Sequence, residues 1–245
     1  MNPQPIIRVT DASNQQFLET HAGPGRVGLA GGIAFIDRVI RRAERHVDAN
    51  ACWSLWSHAF LFQGPRVDGH HWVVESDLQA HRKHISLGAQ ENRITKYFDE
   101  KVYTCLAILD FGLTPAQEKA IVTESLDMVA GRSRYSIREL VGTLFALRHP
   151  GLREKENILA REQSFYCSAF VGHLFRRIGV DLAPGLNAKN TTPEHIARTE
   201  VPHTMYLLDR PEPARPIARA RQRLADLRTR LKNKSPGASE PPPPR

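Results

Sequence analysis

The stretch Ser164-Phe165-Tyr166-Cys167-Ser168-Ala169-Phe170-Val171-Gly172-His173-Leu174-Phe175 constrains the fold more than any other part of the chain. Apolar residues Phe170, Val171, Leu174, Phe175 and Ile178 recur with helical spacing. Gly179 then stands where a helix C-terminal glycine does. The spacing predicts a helix with one buried face and with Cys167 in its first turn. Free backbone N–H groups and the positive end of the helix dipole stabilise a thiolate in such a position. A thiolate there is a nucleophile. The plain alternative is a small buried thiol filling space under the helix. What separates the two is whether the chain brings an imidazole to the sulfur.

Two strand-like runs precede it. Trp53 to Phe62 reads as a loop running into a strand, with His58, Phe60 and Phe62 on one face. After turns at Gln63-Gly64-Pro65 and Asp68-Gly69, His71 to Asp77 is a second strand. The short connection predicts an antiparallel pair, in which a carboxylate on one strand can face a histidine on its neighbour. Glu75, flanked by Val73 and Val74, is the carboxylate that most needs a partner, because a charge inside an apolar strand is costly alone. Asp77 lies on the same strand face and is the substitute.

The remaining elements follow from local chemistry. Residues 1–25 are polar and turn-rich. Gly28, Gly31 and Gly32 match neither phosphate-loop pattern. Ile33 to His46 has helical spacing, with Ile33, Ile36, Val39 and Ile40 on one face and Arg38, Arg41, Arg42 and Arg45 elsewhere. Residues 78–101 give no clear pattern. Val102 to Phe111 is the strongest β run. Thr114-Pro115-Ala116-Gln117 has the cap, the first-turn proline and the third-position glutamine of a helix start. Tyr135 to Leu147 reads as another helix, Thr192-Pro193 as the cap of a short one, and Val201 to Leu208 as a last strand.

Charge is unevenly placed. Of the net +8, residues 1–210 carry only +2, because 211–235 hold eight basic side chains against two acidic ones. A nucleic-acid fold is therefore not indicated. Four divisions are expected: an N-terminal segment 1–24, a domain over 25–210, a basic amphipathic helical tail 211–234, and a proline-rich disordered tail 235–245. An anionic membrane surface is a candidate partner for the basic tail. Met1 to Pro5 lacks the regions of a secretory signal, and no apolar run approaches a membrane span. The default location is cytoplasmic, with signal-less export the alternative. Cys52, Cys105 and Cys167 form no close pair, so no disulfide framework is expected, and Cys105 reads as a core thiol. His70, His71, His81 and His84 are the candidate metal ligands, but they lack the His-Glu-x-x-His arrangement. No metal or other cofactor is expected.

In order, Trp56-Ser57-His58 before a strand, Val73-Val74-Glu75 on the next, and Phe165-Tyr166-Cys167-Ser168 opening a helix resemble the circularly permuted papain-like hydrolases. These form the YiiX/YaeF-like branch of the NlpC/p60 superfamily. In that branch the histidine strand precedes the cysteine helix, as here. The resemblance covers about residues 25–208. It implies an α+β fold, an antiparallel sheet packed against helices that include the nucleophile helix. It further implies Cys167 as nucleophile, His58 as general base and acid, and Glu75 as the acceptor on the far imidazole nitrogen. Tyr166, Ser57 and Trp56 would line the substrate side. The chain departs from the pattern at Ala169, where such enzymes often carry an acidic residue.

The implied activity is cysteine-dependent hydrolysis through a thioester acyl-enzyme, with peptide or peptidoglycan-type amides as the favoured substrates. A lipid-directed phospholipase or acyltransferase with the same triad is the first alternative, with Phe165, Tyr166, Phe170 and Trp72 as an acyl groove. A catalytically silent lipid- or peptide-binding module is the second.

Overall fold

Along the central strands apolar residues fill both phases of the alternation. Ala59 and Leu61 point one way, Phe60 and Phe62 the other, and all four are fully buried. Such a strand needs cover on both faces. The computed structural model, which describes residues 4–47, 52–81, 84–131, 167–187, 190–208 and 210, provides it. The strands are β1 (Ile6–Val9), β2 (Val27–Gly32), β3 (His58–Pro65), β4 (His71–His81), β5 (His84–Arg93), β6 (Tyr103–Asp110) and β7 (Thr204–Leu208). They form one sheet in the order β1-β7-β6-β2-β3-β4-β5. β1 runs parallel to β7, and every other neighbouring pair is antiparallel. Among the described residues the helices are α1 (Asn14–His21), α2 (Phe35–Ala43), α3 (Pro115–Ala130), α4 (Cys167–Arg177) and α5 (Pro193–Ala197). The protein is thus α+β.

On one face, Leu29, Leu61 and Leu109 pack against Ile121 of α3 and against Phe170, Leu174 and Phe175 of α4. On the other, Phe60, Phe62 and Ile108 pack against Phe17 and Leu18 of α1 and against Tyr97. Both α3 and α5 start as their sequences require. Thr114 and Thr192 accept hydrogen bonds from the backbone N–H three residues on, with proline in the first turn of each helix. Gly179, beyond α4, has φ +80°, the left-handed value expected of a helix-terminating glycine.

Three stretches differ from expectation. Gln63-Gly64-Pro65, expected as a turn, is the end of β3, where Gly64 and Pro65 pair with Trp72 and His71 across a register shift. The polar N-terminal residues form β1 and α1, and Phe17 and Leu18 belong to the core. A capping box between Ser13 and Gln16 starts α1, whose buried stripe is too narrow to stand out as an apolar pattern. Residues 78–101 complete β4 and supply β5, a strand lacking clear apolar alternation because it lies at the sheet edge. His81 and His84, two of the candidate metal ligands, are the last cross-strand pair of that hairpin. Among the described residues no group of three or more His, Cys, Asp or Glu side chains is placed to hold a metal ion.

The expected helix at 135–147 lies outside the described residues. So do both expected tails. No helix among the described residues is long and apolar enough to cross a membrane.

Candidate active site

The glycines of β2 set the position of everything around His58. Gly28 pairs with Phe60, and a Cβ at Gly28 would come within 2.1 Å of the Phe60 ring. A Cβ at Gly31 would meet the Leu55 carbonyl oxygen at 2.1 Å. These glycines let an aromatic ring cross the strand and let the loop before β3 lie directly on the sheet. Ser57 fixes that loop, accepting from the Gly32 N–H at 3.1 Å and donating its backbone N–H to the Ala30 carbonyl at 2.9 Å. His58 follows as the first residue of β3.

Glu75 on β4 meets the imidazole. Its side chain is 0% exposed, and all its oxygens are engaged. His58 Nε2 and the Tyr97 hydroxyl both contact Oε2. Asn92 Nδ2 and Lys96 Nζ each donate to Oε1 at 2.6 Å. Burial alone would push this carboxyl up. The Lys96 ammonium, then the His58 contact, overcome burial and hold it far below the usual carboxylate range. An ionised Glu75 only accepts, so it fixes the His58 proton on Nε2 and leaves Nδ1 for another partner.

That partner is Cys167. It is the first residue of α4, is 7% exposed, and lies beside His58. Burial pulls the imidazole down. The charge and hydrogen bonding of Cys167, then Glu75, prevail and raise it well above its ordinary value. Ser168 donates to the Thr191 carbonyl at 2.8 Å, tying the start of α4 to the loop before α5. Ala169, where an acidic residue was a possibility, is fully buried.

The structure therefore brings together Cys167, His58 and Glu75. Asp77, the substitute for Glu75, has its side chain outside the described residues, as does Tyr166. Trp56 and Ser57 are both buried. Trp56 packs in the core with α4, and Ser57 braces β2 against β3, so neither presents an open substrate wall. The expected acyl groove is divided. Phe170 is core, whereas Trp72 sits on the β3–β4 hairpin under the Arg66 and Arg93 guanidinium groups, 4.4 and 5.6 Å from its ring centroid. Phe165 lies outside the described residues.

Sequence reasoning missed two groups of residues. Asn92, Lys96 and Tyr97 come from the stretch that showed no pattern. Glu44 was hidden in an arginine-rich helix, where a carboxylate reads as solvated. It is 1% exposed, and among the described residues no hydrogen bond is made to either carboxyl oxygen. Burial raises its pKa well above the ordinary value, and the Glu194 and Cys167 charges add to this. The Ser54 and Thr192 hydroxyls nearby offset part of the rise. Ser54 also donates to Glu194 Oε2 at 2.7 Å, and Thr192 Oγ1 lies 2.9 Å from His195 Nδ1. Burial and the neighbouring charges thus favour the neutral acid at Glu44.

No protein-family model matches the chain, and no curated protein matches it. Among solved structures it is similar to the metalloprotein yiiX from Escherichia coli O157:H7, with a TM-score of 0.49 and 10% sequence identity. The alignment covers 78% of this chain and 99% of that one. At this level of similarity neither a metal nor an activity passes from that protein to this chain.

Proposed function

We propose that the chain is a cysteine-dependent acyl hydrolase, with Cys167 as nucleophile, His58 as base and acid, and Glu75 as the group that orients His58. The supporting observation is the placement of His58 between a first-turn helix cysteine and a buried carboxylate saturated by four donors, a setting that raises the imidazole pKa. An imidazole poised in its charged form beside the sulfur is what a thiol nucleophile needs.

In the reaction, the Cys167 sulfur attacks the acyl carbon as its own proton resides on His58. The C–S bond forms, the bond to the amine or alcohol breaks, and His58 gives its proton to that leaving group. His58 then takes a proton from water, whose oxygen displaces the sulfur as a carboxylic acid forms. Glu75 stays ionised throughout and keeps the ring in place. Backbone N–H groups at the start of α4 are the donors available to the carbonyl oxygen. Peptide or peptidoglycan-type amides remain the favoured substrates on the sequence resemblance.

The test needs no substrate. Each cysteine of the full chain is alkylated with iodoacetamide across a pH series and read by mass spectrometry. Cys167 is expected to react at neutral pH and to lose about tenfold or more of its rate in His58→Ala. Equal Cys167 rates in the two proteins would overturn the proposal and leave a binding module.

A further inference from the structure

Helix α2 was expected to present its apolar residues on one face. The structure leaves the N-terminal part of that face open, with Val39 and Ile40 half-buried. Ile33, Phe35 and Ile36 are 51%, 76% and 43% exposed, and none of the apolar residues from Ile33 to Ile40 belongs to either core among the described residues. Trp53 and Leu55, 40% and 38% exposed, extend the same surface. The loop that carries them is strapped to α2. Ser54 N–H donates to the Arg41 carbonyl at 3.1 Å, and Arg41 Nε donates to the Ser54 carbonyl at 2.8 Å. The Arg42 guanidinium lies 5.9 Å from the centroid of the Trp53 ring. Five large apolar side chains gathered on one surface element are not the scattered singles of an ordinary surface.

Among the described residues of this segment, the fully exposed charges are of one sign. Arg38 and Arg42 are exposed, and Arg41 and Arg45 stand half-buried beside them. The described acidic residues of the segment are turned to other uses. Asp37 accepts from the Ala34 N–H at 3.0 Å at the helix start, and Glu44 is buried. A short amphipathic helix with phenylalanine and isoleucine on one side, arginines beside them and a tryptophan at the margin matches an interface between hydrocarbon and anionic headgroups. A cytosolic apolar partner would not require the arginines.

We propose that α2 and residues 53–55 form a docking surface for a lipid bilayer bearing anionic headgroups. Ile33, Phe35, Ile36 and Leu55 enter the acyl region, Trp53 lies at its edge, and Arg38 and Arg42 take the lipid phosphates. The same segment leads directly to the candidate site: Glu44, whose carboxyl feels the Cys167 charge, directly follows α2, and Trp53 to Ser57 lead into His58. Docking would set that site at the membrane surface. This consequence for Cys167 rests on the thiol reading, whereas the docking itself does not.

The test uses the full chain with Cys167→Ser, so that binding is read apart from chemistry. Co-sedimentation is measured with phosphatidylcholine vesicles and with mixed phosphatidylcholine–phosphatidylglycerol vesicles. Binding to the mixed vesicles is expected, with a loss of about tenfold or more in Phe35→Glu/Ile36→Glu. Arg38→Glu/Arg42→Glu should remove the preference for the anionic lipid. Both pairs are on the exposed surface, and circular dichroism checks that they fold. Mixed-vesicle binding that both double variants retain would overturn the proposal and assign lipid affinity to the basic residues 211–235. A dimer in sedimentation that Phe35→Glu/Ile36→Glu dissolves, with no vesicle binding, would overturn it in favour of a second copy.

Discussion

The rings of Phe60 and Tyr97 stack with centroids 4.3 Å apart and planes 13° from parallel, and the Tyr97 hydroxyl reaches Glu75. Core packing thus sets the position of a hydrogen-bond donor to the carboxylate that holds His58. Tyr97→Phe keeps the stack and removes the donor. The loss of a hydrogen bond to a buried charge predicts a stability decrease of about 1.5–3 kcal/mol. Urea unfolding reads this. Cys167 alkylation is expected to slow as well, because Glu75 then holds His58 less firmly. An unchanged stability would mean that the hydroxyl contributes nothing to Glu75.

Gly28 lies one step further out. Gly28→Ala places a methyl group 2.1 Å from the Phe60 ring, which is itself held against Tyr97. Overpacking of this kind costs about 1–3 kcal/mol. The expected signature is combined: a lower unfolding midpoint and slower Cys167 alkylation, since the displaced Phe60 pushes on Tyr97. A stable variant with wild-type reactivity would show that the ring moves aside without disturbing the site.

The sequence was informative where one residue's local chemistry decided its place. The helix opened by Cys167, the capped start of α3 and the strands on either side of the first hairpin all follow from short-range patterns. So does the need of Glu75 for a partner, since an apolar strand penalises a lone carboxylate. The identity of those partners was not legible. Lys96 and Asn92 reach Glu75 from a polar stretch whose fold depends on pairing along β4, and no local pattern encodes that. Glu44 was illegible for the opposite reason. Its neighbours in sequence are arginines on a surface helix, yet its own side chain turns toward Cys167. The exposed face of α2 has the spacing of a core helix, and spacing alone does not tell a protein core from another apolar phase.

Lys96 tests the electrostatics of Glu75. The Glu75 pKa is lowered in the folded state, so its stabilisation is present above its unfolded value near 4.5 and is lost as pH falls through the folded value. Lys96→Met removes the largest of the influences that lower it. Breaking one partner of a buried pair predicts a loss of about 3–5 kcal/mol at neutral pH. The loss should shrink toward acid, where Glu75 of the variant protonates more readily and the buried charge disappears. Urea unfolding of both proteins from neutral pH down to about pH 4 checks this. A difference that stays constant over that range would mean that Lys96 acts through packing alone.

Glu44 makes the opposite prediction. Its pKa is raised in the folded state, so above its unfolded value near 4.5 the unfolded chain ionises while the folded chain does not. Stability therefore falls as pH rises through that window. Burial sets the sign, the charges of Glu194 from α5, itself paired with Arg198, and of Cys167 from α4 add to it, and the Ser54 and Thr192 hydroxyls offset only part of it. His58 does not confuse the reading below its ordinary value. Its raised pKa gives stabilisation that is fully present below pH 6.5 and is lost only as pH climbs through the folded value. Between about pH 4.5 and 6.5, Glu44→Gln should therefore flatten the fall of unfolding free energy relative to wild type. The glutamine keeps the shape and a donor but cannot ionise. Parallel curves for the two proteins would show that Glu44 is already ionised in the fold, and the polar wall beside Cys167 would then be a carboxylate rather than an acid.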